Sequence, residues 1–168
     1  KLPLIKKEMI ETLALEGIGF VEETERFYPQ KELASHLLGF TGIDNQGLAG
    51  LELYYEEELR GKKGHFLIRE DALGYEIPLT RRVTQGLVPG KDIVLTIDNI
   101  IQSIVEKEIS LALEETEARS VEALFMNPQT GEILALANKP DYDPNHYSDF
   151  FPSFRRNRVV HSIYEPGS

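Results

Sequence analysis

Asp141, Asp143 and Asn145 alternate along the chain with the spacing by which a calcium loop presents its first oxygen ligands. The match stops there, because His146 and Pro152 occupy the positions where such a loop requires Gly and Glu. The segment is therefore expected to be a loop with Asx turns and without metal. His36, His65, His146 and His161 show no zinc-hydrolase spacing, and only His161 and Glu165 stand one helical turn apart. His36, beside Ala34 and Leu37, is expected to be a hydrogen-bonded structural histidine. Glu56, Glu57 and Glu58, and likewise Glu114, Glu115 and Glu117, lie opposite apolar stripes and are read as solvated helix faces, not as paired glycosidase carboxylates. Arg155, Arg156 and Arg158, near Phe150, Phe151 and Phe154, form the one dense basic cluster, but a net charge of −10 argues against nucleic acid. The chain has no Cys, which excludes thiolate zinc sites, disulfides and cysteine nucleophiles. Finally, Pro166-Gly167 is expected to form a tight turn that places Ser168 to cap a following helix; taken alone, Ser168 reads as an ordinary N-cap and not as a nucleophile.

The elements that must position these residues follow from periodicity. Apolar residues at helical spacing predict a helix over Lys6 to Leu15, with Gly17 as its cap. A strand is expected from Ile18 to Tyr28, a short helix from Gln30 to Leu38 ending at Gly39, and a longer helix from Gly47 to near Gly61. Three β-like runs, His65 to Glu70, Tyr75 to Val83 and Asp92 to Ile97, predict an antiparallel meander. Asp98 stands where an N-cap belongs, and Ile101, Ile104, Val105, Ile109 and Ala112 give a helix of about five turns that ends by Arg119, at about 3.6 residues per turn. Val121 to Met126 and Glu132 to Asn138 flank Asn127-Pro128-Gln129-Thr130-Gly131 as a hairpin buried on both faces. Asp141 to Phe154 is expected to be loop, with one helical turn within Asn157 to Ile163. Apolar runs are only a few residues long, far short of the ~20 that a membrane span needs.

Taken together, five segments in order resemble the class B penicillin-binding proteins. Arg26-Phe27-Tyr28-Pro29-Gln30-x-x-x-Ala34-x-His36-x-x-Gly39 is similar to a motif of that family's non-catalytic module, with Phe27 and the Lys31 region departing from the usual pattern. Gly47-x-x-Gly50-Leu51-Glu52-x-x-Tyr55-x-x-x-Leu59-x-Gly61-x-x-Gly64 resembles the module's next motif. Lys91 to Asp98 followed by Gln102, and Asn127 to Ala135, resemble the start of the transpeptidase domain and its first hairpin. Asn157-Arg158 ahead of Glu165-Pro166-Gly167-Ser168 is similar to the approach to the S-x-x-K motif.

The resemblance implies an α+β fold. A pedestal module with an antiparallel β-meander and short helices would occupy residues 1–96, and the first helix, hairpin and nucleophile turn of a transpeptidase domain residues 97–168. It implies Ser168 as the serine that attacks a peptidoglycan stem peptide or a β-lactam, with no cofactor. It also implies that Arg26, Tyr28, Pro29, Gly39, Gly50 and Glu52 are structural residues at the junction of the modules, with Arg26 and Glu52 forming a partly buried ion pair. The Lys of S-x-x-K and the S-x-N and K-T-G elements are not in the sequence, so this stretch alone is expected to be inactive and its parent to be anchored on the extracytoplasmic face of the bacterial inner membrane. The short loop before Asn157 and Glu165 ahead of Pro166 are closer to the septal, division-associated branch. Two rival readings are a non-enzymatic module that docks division proteins and a β-lactam sensor or resistance homologue.

Overall fold

Asp98 starts the longest helix as its side chain requires: its carboxylate accepts from the N–H groups of Ile100 and Ile101, at 2.9 and 3.0 Å, at the N-cap of α5 (Asn99–Thr116). This helix follows α1 (Leu4–Thr12), α2 (Ser35–Leu38), α3 (Gly50–Tyr54), α4 (Glu56–Arg60), β1 (His65–Leu67) and β2 (Arg82–Gln85). After it come β3 (Val121–Met126), β4 (Ile133–Lys139), a 3₁₀ turn at Pro144–Asp149 and α6 (Arg158–His161). The computed structural model describes residues 4–15, 17–21, 24–62, 64–67, 82–163 and 165. The fold is α+β, and among the described residues it holds two antiparallel pairs, β1 with β2 and β3 with β4.

The main core lies where α5 crosses the β3–β4 hairpin. Val105 and Ile109 of the helix pack on Ala135 and Ala137 of β4, flanked by Ile101, Val121 and Ala123. Helical spacing on one side and alternate strand residues on the other bring these side chains together. The hairpin matches the sequence expectation in place and pairing, with Ala123 opposite Ala137 and a register shift between Phe125 and Met126. Its burial differs. Ala135 to Asn138 of β4 are buried, but Leu124, Phe125 and Met126 of β3 remain about half exposed.

Upstream, local backbone geometry overrides several expected elements. Residues 18–21 and 24–28 form no strand: they meet no strand partner, and Ile18 and Phe27 are exposed rather than alternately buried. The Gln30–Leu38 helix shrinks to Ser35–Leu38 because Lys31 and Ala34 adopt left-handed backbone, φ 51° and 54°. The helix predicted from Gly47 breaks at Tyr55 into α3 and α4. Glu56 also departs from the solvated face assigned to it, since it is half-buried and its carboxylate accepts from Gly47 N–H at 2.7 Å. The first helix ends at Thr12, with Ala14 at φ 45°. Of the meander, β1 and β2 pair, Asp92 to Ile97 forms no strand, and the stretch from 68 to 81 lies outside the described residues. Residues 96–98 instead reach across to β4: Thr96 Oγ1 donates to Ile133 O and Asp98 N–H to Leu134 O. Among the described residues no helix is long and apolar enough to cross a membrane.

Candidate functional site

Arg26 lies in irregular chain and Glu52 in α3, and the fold brings them into a two-pronged ion pair. Arg26 Nε donates to Glu52 Oε1 at 2.8 Å and Nη2 to Oε2 at 3.1 Å. The planar guanidinium fork suits a carboxylate, and this hydrogen bonding, together with the neighbouring charge, holds the guanidinium pKa above its ordinary value against the opposing effect of burial. Tyr28, two residues on, donates its hydroxyl to the same Glu52 Oε1 at 3.3 Å. Burial, followed by the Glu52 charge, pushes the Tyr28 phenol well above its usual range, so it acts as a donor and not as an acid.

The backbone of Tyr28 is gripped from the far end of the chain. Its N–H donates to Asn145 Oδ1 and its carbonyl accepts from Asn145 Nδ2, both at 2.9 Å. Asn145 is itself fixed by an Asx turn in which its N–H donates to Asp143 Oδ1 at 2.8 Å. At Asp143 partial desolvation is outweighed by the donors of Asn145 and His146, which lowers the carboxyl pKa. Within the Asp141-x-Asp143-x-Asn145 pattern, Asp143 and Asn145 thus form a clamp on Tyr28, while Asp141 pairs with Lys139.

One turn of helix collects the other contacts. Gly39 and Gly50, both left-handed, cross so closely that a Cβ on Gly39 would sit 1.9 Å from the Ala49 carbonyl, and one on Gly50 2.6 Å from Gly39 N. This crossing pins α2 to α3. The carbonyl of Ser35 accepts from the buried Tyr142 hydroxyl at 2.9 Å. His36 is buried, and its Nε2 donates to the Phe154 carbonyl at 2.6 Å while the ring meets Tyr142 edge-on at 5.2 Å. A carbonyl can only accept, so the proton sits on Nε2, and burial lowers the His36 pKa despite that bond. Phe40 stacks on Tyr147, with the Arg155 guanidinium 5.2 Å from the Phe40 ring centre. The basic cluster is therefore spent internally: Arg156 donates to His161 O and Arg158 to Ser153 O.

Gln102 completes the frame. It is fully buried in α5, and its amide meets Leu136 of β4 on both sides: Nε2 donates to Leu136 O, and Oε1 accepts from Leu136 N, each at 2.9 Å. The second Nε2 hydrogen goes to Glu106 Oε1 at 2.7 Å, an atom that also accepts from the left-handed Ala34 N–H at 2.7 Å. Burial raises the Glu106 pKa, opposed by these two donors.

This geometry joins two stretches that known families match separately. The family described as the penicillin-binding protein dimerisation domain matches residues 5–95, more than half of the chain. The chain belongs to the penicillin-binding proteins. The penicillin-binding protein transpeptidase domain matches residues 121–168. The chain is 42% identical over 164 residues to Stage V sporulation protein D of Bacillus subtilis, covering 97% of this chain and 25% of that protein. It is 36% identical over 162 residues to the peptidoglycan D,D-transpeptidase FtsI of Escherichia coli, covering 96% and 27%. A crystal structure of a peptidoglycan synthetase from Bifidobacterium adolescentis superposes with a TM-score of 0.74 at 31% identity, covering 99% of this chain and 30% of that one. The chain thus spans about a quarter of the length of these curated relatives.

Within this penicillin-binding protein the sequence-derived residues divide clearly. Arg26, Tyr28 and Glu52 come together as one cluster, Gly39 and Gly50 meet backbone to backbone, and Pro29 is exposed at the turn that follows Tyr28. Ser168 lies outside the described residues. Sequence reasoning missed the roles of Asn145, Glu106, Asn138 and Tyr142. Asn145 did carry a signal, the Asx-rich spacing, and Gln102 stood in a family-like segment without an assigned task.

Proposed function

We propose that the chain is part of a peptidoglycan D,D-transpeptidase of bacterial cell-wall synthesis, acting at division on the outer face of the inner membrane. Residues 1–96 are its pedestal, and residues 97–168 lead into a catalytic domain in which Ser168 is the nucleophile. Its hydroxyl attacks the D-Ala-D-Ala carbonyl of a stem peptide, or a β-lactam ring, to give an acyl-enzyme, and a Lys downstream takes the hydroxyl proton. The observation that carries this reading is the match of the transpeptidase family through residues 121–168 on a fold in which that stretch is clamped to the pedestal match through Tyr28 and Asn145. The names of the relatives, transpeptidase and sporulation proteins, support the cell-wall role. Arg26, Tyr28, Glu52, Gly39 and Gly50 hold the pedestal side of that clamp, and Pro29 sets the turn beside it. The test is fluorescent-penicillin labelling of the full-length protein and its Ser168→Ala variant, with melting curves for both. Labelling that survives in a folded Ser168→Ala variant overturns the assignment. An interaction module for division proteins predicts no labelling of either form.

A further inference from the structure

Asn157 is the N-cap residue of α6, yet its side chain makes no capping hydrogen bond. The N–H groups of Arg158 and Val159 donate instead to Oδ1 of Asn138, at 3.0 and 3.2 Å, so the helix is capped from across the fold by the end of β4. Asn138 is 2% exposed. Its Nδ2 donates to Asn157 Oδ1, and Asn157 Nδ2 donates to the His36 carbonyl of α2, both at 3.3 Å. The direction of every link is dictated by the ends. Backbone N–H groups can only donate, which fixes the Asn138 oxygen; its nitrogen then faces the Asn157 oxygen, and the Asn157 nitrogen faces a carbonyl that can only accept. Flipping either amide would set donor against donor or acceptor against acceptor.

A helix of one turn cannot hold itself, because so short a helix gains too few internal hydrogen bonds to offset its ordering. Its placement depends on what grips it, and Ser168 follows its last residue, His161, by only seven positions. We propose that Asn138 and Asn157 are positioning residues, a two-amide clasp through which α2 of the pedestal sets the course of the chain toward Ser168. The inference rests on the reading of Ser168 as nucleophile. Asn157 contributes no cap to α6, so its removal tests the link to α2. Asn138→Asp keeps the acceptor for Arg158 and Val159 but loses the donor to Asn157, and it tests the same link by a second route.

The experiment measures the second-order rate constant of acylation by fluorescent penicillin in the full-length protein and its Asn157→Ala and Asn138→Asp variants. Labelling stoichiometry, melting temperature and hydrogen exchange at the Arg158 and Val159 amides are measured alongside. Both variants are expected to label completely but at least about tenfold more slowly, since small misplacement of a reacting group carries penalties of that order. In Asn157→Ala the two amides should also exchange faster, while those of mid-α5 stay unchanged. Acylation within twofold of wild type, or a loss explained wholly by a smaller folded fraction, overturns the proposal. If the wild type does not label, or Ser168→Ala still does, the nucleophile reading fails. The exchange rates then decide the clasp alone: faster in Asn157→Ala upholds it, unchanged refutes it.

Discussion

Replacing Gln102 with Leu keeps the volume of a fully buried side chain but deletes its hydrogen bonds to Leu136 N, Leu136 O and Glu106. Both backbone groups of a residue in an antiparallel strand point to the same side, and those of Leu136 turn to Gln102, away from β3. Nothing else among the described residues is placed to take them. A buried polar group left without its partner costs about 1–3 kcal/mol, so two such groups predict a loss of about 2–6 kcal/mol, set against a small gain from the more apolar side chain. Urea denaturation followed by circular dichroism should show a lower midpoint at unchanged slope. Gln102→Glu should behave differently with pH. The new carboxylate faces Glu106 in a buried site, its folded pKa rises, and the folded state holds the proton more tightly, so stability falls as pH rises from the ordinary carboxylate range toward the raised folded pKa. Gln102→Leu within about 0.5 kcal/mol of wild type, the range of inert surface changes, would refute the reasoning.

Three further outcomes follow from the same geometry. A double-mutant cycle over Arg26→Ala and Glu52→Ala should give a coupling of about 1 kcal/mol, because the fork is two-pronged but the Arg26 side chain is 40% exposed; a coupling indistinguishable from zero in urea titrations would mark the pair as incidental. The folded-state pKa of His36 is lowered below 6.5, so the unfolded chain takes the proton first: its contribution is intact above that pH and lost as pH falls below it, and His36→Gln should flatten that loss relative to wild type. Gly39→Ala forces a Cβ against the Ala49 carbonyl at left-handed φ, and thermal melts should show a loss of about 2–5 kcal/mol from strain and overpacking together.

The parts of the fold legible in the sequence are those where one local signal and the tertiary contact agree. Asp98 caps α5, Val105 and Ile109 keep the core face, and the Pro-Gln-Thr-Gly turn closes the hairpin, each decided within a few residues of chain. The pedestal stretch was misread where that agreement fails. Ile18 to Tyr28 has strand-like composition, but its end at Tyr28 is tied by a side-chain amide 117 residues away and not by a neighbouring strand. Glu56 looks like a wet position of an amphipathic helix, and instead turns its carboxylate inward to Gly47 N–H. Composition cannot report such partners, because a carboxylate aimed at a backbone N–H reads the same as one aimed at water. Arg26 and Glu52 were paired through motif positions alone, and the two-pronged geometry they adopt has no trace in periodicity.

The joint between the two family-matched stretches is built in a particular chemical currency. Every ion pair among the described residues lies within one stretch or the other: Lys7 with Glu11, Arg26 with Glu52 and Arg60 with Glu56 on one side, Lys139 with Asp141 and His146 with Asp143 on the other. The hydrogen bonds named across the joint come from neutral groups, Asn145 on Tyr28, Tyr142 on Ser35, the His36 ring on Phe154 and Asn157 on His36, and the one charge that crosses with them, the Arg155 guanidinium, lies over the Phe40 ring and not on a carboxylate. An amide or phenol can be buried against a backbone carbonyl without the desolvation penalty of a charge, and its strength is scarcely screened by salt. Because the partners are backbone atoms, each contact also specifies position along the chain more sharply than a charge on a long flexible stem could. A joint of this kind keeps its register as ionic strength varies. The His36 ring crosses the joint as well, and there burial lowers its pKa and favours the neutral ring, whose Nε2 proton is the donor to the Phe154 carbonyl.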